Sequence, residues 1–218
     1  MLTREDRTVP ECLALLDLIA PLQLGHIGFK DIGVDADTLR RLNRRIKDAG
    51  ALSYMEIVSE NPDDCLRAAR LAADIGVDRL LGGTDPEAVL AATAGSALEY
   101  YPFPGRPYGH PTRLGGTPEL IAEHCRRFLA AGCHGADLLA YRATEADPLA
   151  LVQAARQALG QARLIVAGSV DSVERIRALA KAGADALTVG SAAFEGSFSA
   201  GDLLQQLQAA RAACNEAR

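Results

Sequence analysis

No run of 18 apolar residues occurs anywhere in the 218-residue chain, and no charged-then-apolar leader opens it. Nothing marks a membrane span or an export signal, so a cytoplasmic protein without a membrane partner is expected. CxxC spacing is missing as well. Cys12, Cys65, Cys125, Cys133 and Cys214 are scattered and odd in number, which suits reduced thiols rather than a disulfide frame. No His/Cys/Asp/Glu cluster has metal-ligand spacing, so no metal is expected. GxGxxG and Walker sequences are absent, which leaves a nucleotide cofactor without support, and no cofactor is expected. Clustered basic charge is scarce: the net charge is −5, and the Arg40-Arg41 and Arg44-Arg45 pairs read as one solvated helix face. Nucleic acid is therefore not an expected partner. Linkers, low-complexity stretches and a second composition are also lacking, and a single domain over 1–218 is expected.

What is present is a repeating unit. Hydrophobic residues make up 49% of the chain and are mostly Ala, Leu, Ile and Val, the composition of a buried parallel sheet. Short apolar runs alternate with helical stretches. The helices open at Thr8-Val9-Pro10-Glu11, Asn61-Pro62, Asp85-Pro86, Thr117-Pro118 and Asp147-Pro148. Proline at the first helical position forfeits no hydrogen bond, and the residue before it can cap. Asp171-Ser172-Val173-Glu174 reads as a capping box on Asp171. Gly50, Gly76, Gly132 and Gly183 supply the helix ends. Candidate strands fall at 1–3, 26–31, 52–58, 79–83, 98–103, 136–142, 164–168 and 186–190. Eight alternating β and α units predict parallel strands, right-handed crossovers and a closed (β/α)8 TIM barrel of the α/β class. A doubly wound open sheet is the rival.

Charge placement selects the chemistry. Lys30 and Glu56 fall at the ends of the second and third predicted strands. A buried strand has no cheap place for a charge, so both are expected to point into the barrel mouth. Glu56 could remove a proton beside a carbonyl while Lys30 polarises the oxygen. Alternatively Lys30 could form a Schiff base, although a nearby Glu56 would raise its pKa and oppose that use. Asp6, after the first strand, could orient Lys30, while His26 reads as a core histidine. The segment 104–116 follows the fifth strand and carries His110, Arg106, Arg113 and Tyr108. Long connections at strand C-termini often grip substrate; here His110 is the candidate acid or base and Arg113 a substrate contact. An oligomer contact is the other reading, which leaves a homo-oligomer open. Arg142, expected on the sixth strand with Leu138 and Ala140 facing inward, could bind a carboxylate or phosphate.

The last two units carry the strongest motif. Arg163-Leu-Ile-Val-Ala-Gly-Ser-Val170 and Ala184-Asp-Ala-Leu-Thr-Val-Gly-Ser191 each read as a strand ending in Gly-Ser. Unobstructed backbone N–H groups at Gly168, Ser169, Gly190 and Ser191 would form a phosphate cradle over about 163–193. In these two stretches the chain resembles the ribulose-phosphate-binding barrel superfamily. That group includes phosphoribosylanthranilate isomerase, the histidine-pathway barrel enzymes and pentulose-phosphate epimerases. The resemblance implies a phosphorylated small-molecule substrate held by those four residues. It does not extend to the catalytic positions: the Cys/Asp pair, the decarboxylase pattern Asp-x-Lys-x-x-Asp and a strand-six lysine are all missing. The expectation is an isomerase or epimerase on a small phosphorylated sugar or sugar acid. A Schiff-base aldolase or lyase using Lys30, and a non-catalytic phosphometabolite-binding regulator, are the alternatives.

Overall fold

Asn61, Asp85, Thr117 and Asp147 each precede a proline, and in the computed structural model, which describes residues 1–217, each caps the helix that follows. Their side-chain oxygens accept backbone N–H groups two or three residues on, which satisfies donors that a helix start leaves open. Gly76, Gly132 and Gly183 close helices in the left-handed conformation that costs glycine least. Such local signals lay out two compact units, Met1–Pro102 and the chain from Phe103 onward.

The first unit contains a hairpin of β1 (Thr3–Arg4) and β2 (Arg7–Thr8), α1 (Cys12–Ile19), and a 3-10 turn at Ala20–Leu22 that ends on left-handed Gln23. It continues through β3 (His26–Lys30), α2 (Ala36–Asp48), β4 (Leu52–Ile57), α3 (Pro62–Ile75), β5 (Arg79–Gly82), α4 (Pro86–Ala92) and β6 (Glu99–Tyr101). Strands β3 to β6 form one parallel sheet in sequence order. Register sorts its residues by face. Phe29, Met55, Leu80 and Tyr100 stand in one row across the four strands, and all are fully buried. Burying each such side chain contributes roughly 1.5–3 kcal/mol. The opposite face carries two rows: Gly28, Tyr54, Arg79 and Glu99, then Lys30, Glu56, Leu81 and Tyr101. The alternation of strand side chains therefore gathers the polar groups on a single face.

The second unit opens with an antiparallel hairpin, β7 (Arg106–Tyr108) and β8 (Arg113–Gly115). Then come α5 (Pro118–Ala131), β9 (Gly135–Leu138), a 3-10 turn at Ala140–Arg142, α6 (Pro148–Leu159), β10 (Arg163–Val166), α7 (Val173–Ala182), β11 (Ala186–Leu187), α8 (Ser191–Phe194) and α9 (Leu203–Glu216). Strands β9, β10 and β11 are parallel, with β10 central. Phe128, Leu138, Leu151, Val152, Val166 and Leu179 are fully buried in this unit. Among the described residues no helix is long and apolar enough to cross a membrane.

Several sequence expectations are corrected. Residues 1–3 do not make a parallel strand. Glu5 (φ 50°) and Asp6 (φ 58°) turn the chain back, so Thr3 pairs with Thr8. Thr8 accordingly does not cap α1, whose first turn lacks a side-chain cap. The strand expected at 136–142 ends at Leu138, because the chain then winds into the 3-10 turn that carries Arg142. Leu138 aligns with Val166 and Leu187, while Asp137 shares its row with Ile165 and Ala186; Ala140 and Arg142, expected on the strand, lie beyond it in the 3-10 turn. The cap of α7 is Ser172, not Asp171, since the Ser172 hydroxyl accepts from the Arg175 N–H. His26 is exposed at the start of β3, not set in the core.

Candidate functional site

Two strand-end clusters carry the residues singled out in the sequence, one in each unit. In the first, Lys30 closes β3 and Glu56 lies directly opposite it on β4. Lys30 Nζ is 2.9 Å from Glu56 Oε1 and 2.7 Å from Asp6 Oδ1. All three residues are buried, with Lys30 only 6% exposed. Burial is the largest influence on the ammonium and favours deprotonation. Glu56 and Asp6 outweigh it by charge and hydrogen bonding, and hold the Lys30 pKa above the ordinary lysine value. The strand end is pinned as well: the Lys30 N–H donates to Thr8 Oγ1, and that hydroxyl donates to the Lys30 carbonyl, both at 2.8 Å.

Asp6 reaches Lys30 through an unfavourable backbone. It follows Glu5 in a two-residue turn where both adopt left-handed φ, a conformation that costs a non-glycine residue about 1–2 kcal/mol. Strain of this kind is retained where the surrounding structure fixes it. Next to the cluster, Asp31 accepts the Val58 N–H at 3.0 Å. Burial, with the Glu56 charge adding to it, pushes the Asp31 carboxyl up to about 6. Further toward the strand N-termini, Arg79 binds Glu99 at 2.7 Å and also the Tyr54 hydroxyl, which meets His26 Nδ1 at 3.0 Å. This second network ties β3, β4, β5 and β6 together beneath the Lys30 row.

The second cluster surrounds the turn after β10. Gly168 (φ 77°) and Ser169 (φ 54°) are consecutive left-handed residues. A methyl group on Gly168 would lie 2.4 Å from Arg142 Nε, so the guanidinium of Arg142 rests where only glycine leaves room. Arg142 Nη1 also donates to the Thr112 carbonyl at 3.1 Å, which links the β7–β8 hairpin to this turn. Gly190 and Ser191 follow β11 and begin α8. β11 lies beside β10, and the Thr188 N–H bonds to the Val166 carbonyl at 2.9 Å. Arg142, Gly168 and Ser169 are thus brought together, with Gly190 and Ser191 beyond the end of the adjacent strand.

His110 and Arg113 are elsewhere in the same unit. The long segment after the fifth predicted strand is a hairpin, with His110 exposed at its tip and Arg113 exposed on β8. It is fastened at its base: Arg106 pairs with Glu145 at 2.9 Å, Glu145 also accepts the Gly116 N–H at 2.9 Å, and Tyr108 reaches Thr144 at 3.2 Å. Two residues escaped the sequence reading. Asp137 is a fully buried carboxylate on β9, and its signal was the acidic residue inside an apolar strand. Arg175 lies on α7 and contacts the Ser169 carbonyl at 2.6 Å; no spacing rule would have pointed to it. Among the described residues no group of three or more His, Cys, Asp or Glu could hold a metal ion.

No protein-family model matches the chain, and no curated protein sequence does either. Solved structures do match. Orotidine 5'-phosphate decarboxylase from Pyrococcus horikoshii OT3 is similar at 15% identity with a TM-score of 0.68, covering 95% of this chain and 96% of that one. A native KDPGal structure matches at 15% identity and a TM-score of 0.67, over 99% of this chain and 89% of that one. The Amycolatopsis orientalis BexX/CysO complex matches at 16% identity and a TM-score of 0.63, over 97% and 86%. At such identities the likeness is one of fold, and the fold is the (β/α)8 barrel that the repeating unit predicted.

Proposed function

We propose that the protein is an enzyme acting on a small phosphorylated sugar or sugar acid, as an isomerase or epimerase that removes a proton beside a carbonyl. The observation that carries this reading is a buried ammonium held charged between two carboxylates at the end of β3. Glu56 takes the proton from carbon, and the negative charge that moves to the carbonyl oxygen meets Lys30. Asp6 then has a definite part. When Glu56 becomes neutral on accepting the proton, Asp6 still compensates Lys30, so the ammonium does not lose its charge in mid-reaction.

Phosphate binding is assigned to the Gly168-Ser169 turn and the Gly190-Ser191 strand end, with Arg142 and Arg113 as cationic contacts. His110 is kept as a second acid or base carried on the hairpin. Support for the anion comes from the left-handed turn at Gly168 and Ser169 and from the Arg142 guanidinium lying against Gly168. The fold adds a prior, since barrels often hold phosphate after their last two strands. The Schiff-base alternative is weakened by the same geometry, because a lysine with a raised pKa is a poor amine nucleophile.

The test is solvent-deuterium incorporation into sugar phosphates, followed by Lys30→Met. The variant is expected to lose turnover and exchange while keeping phosphate-dependent thermal stabilisation. An adduct trapped on Lys30 by borohydride would overturn the isomerase reading in favour of the lyase.

A further inference from the structure

Serine in the left-handed region carries a steric cost that glycine would not, so Ser169 (φ 54°) must be held in place. The Arg175 guanidinium holds it. Its Nη1 donates to the Ser169 carbonyl at 2.6 Å and to Asp171 Oδ2 at 2.7 Å. The same guanidinium lies 4.5 Å from the centre of the Tyr141 ring, within the range of a cation–π contact. Tyr141 is the residue before Arg142, so one 3-10 turn, Ala140–Arg142, bears on both sides of the Gly168-Ser169 turn. Arg142 lies against Gly168, and Tyr141 supports the arginine that grips Ser169.

This grip sets the direction of the backbone donors. A peptide is planar with its C=O and N–H opposed, so turning the Ser169 carbonyl onto Arg175 turns the Val170 N–H away from it. Among the described residues the N–H groups of Gly168, Ser169 and Val170 make no hydrogen bond within the protein. We propose that Arg175, stacked on Tyr141, is a positioning residue for phosphate: it locks the Ser169 peptide so that the backbone donors of the turn stay aimed at one anion. Arg175 acts through Ser169 and needs no contact with the ligand. The inference rests on the phosphate reading above and adds to it a residue outside the Gly-Ser motif.

Thermal stabilisation of the full chain by inorganic phosphate, titrated to give an apparent affinity, tests the proposal. Arg175→Met is expected to weaken that affinity at least about tenfold, the effect of losing a hydrogen bond from a charged group. Arg175→Lys keeps the charge but not the flat fork, and is expected to recover only part of the loss. Tyr141→Phe keeps the ring face and the affinity, whereas Tyr141→Ala loses part of it. If Arg175→Met does not fold, Arg175→Lys and Tyr141→Ala carry the test. A merely structural arginine would lower the melting temperature without anion yet leave the apparent phosphate affinity at the wild-type value, and that result overturns the proposal. Absence of phosphate stabilisation in the wild type overturns the phosphate reading itself, and the positioning role falls with it.

Discussion

Lys30 stays charged because two carboxylates act on it from different elements, and only one of them was visible along the strand. Its pairing with Glu56 was legible because a charge in a buried strand must point to a polar face. Asp6 could be named as a group to orient Lys30, but the left-handed turn that folds it onto the ammonium from 24 positions away was not legible. Asp31 gives a prediction at this scale. Its carboxyl has a folded pKa of about 6 against an ordinary 3.8, so folding takes up a proton there. That contribution is fully present below the unfolded pKa and is lost as pH rises through the folded one. Stability should therefore fall between about pH 4 and pH 6 by an amount that Asp31→Asn abolishes. Chemical denaturation across that window checks it, and an unchanged slope in the variant would refute the assignment. Gly168→Ala should fail on two counts, a left-handed φ and contact with Arg142. It is expected to cost more than about 1 kcal/mol and to remove phosphate stabilisation, both measurable in one thermal titration.

Helices announced themselves more clearly than strands did. Proline with a capping residue before it is a local device, so Asn61, Asp85, Thr117 and Asp147 could be read directly. The end of β9 could not, because Leu138-Leu-Ala-Tyr141 stays apolar while the backbone changes from strand to 3-10 turn. A second device joins neighbouring elements and recurs in both units. Asp78, just before β5, accepts the Ser53 N–H and hydroxyl from β4 at 2.8 and 3.0 Å and pairs with Lys47 at 2.9 Å. Asp185, just before β11, accepts the Leu164 N–H from β10 at 2.7 Å and pairs with Arg156 at 2.7 Å. Each aspartate follows a helix-closing glycine by two residues, Gly76 and Gly183, and ties one strand entry to the next. Asp78→Ala should cost about 1–3 kcal/mol by leaving the buried Ser53 donors unsatisfied. Burial alone would raise the Asp78 carboxyl, but Lys47 and Ser53 together bring it below the ordinary value. The stabilisation it gives is thus present above the unfolded pKa and fades only as pH falls through the lower folded one. A urea midpoint that drops in the variant at pH 7 but converges with wild type in strong acid would bear this out.

At the scale of the molecule, the proposed function asks an acidic protein of net charge −5 to bind an anion. Local donors must then outweigh a repulsive background, and the binding should weaken as salt screens the arginines near the turn. Phosphorylated sugars should raise the melting temperature while their dephosphorylated counterparts leave it unchanged. At a hundredfold excess over Kd the stabilisation is about 2.7 kcal/mol, or roughly 5–10 °C for a chain of this length. Equal shifts from both sets of compounds would remove the phosphate from the proposal. The architecture was readable because it repeats, and each β/α unit testifies to the others. The chemistry occurs once, so its side chains had to be found one at a time.

Left-handed residues other than glycine offer a practical handle of another kind. Gln23, exposed at the end of a surface turn, shares that conformation with Asp6 and Ser169 but touches neither cluster. Gln23→Gly should be a free gain for anyone engineering a hardier protein and Ser169→Gly should trade phosphate affinity for robustness, whereas Asp6→Gly should lose stability as well, because it strips a carboxylate from the buried Lys30 ammonium. A three-member glycine scan would thus separate tension the protein merely tolerates from tension it uses.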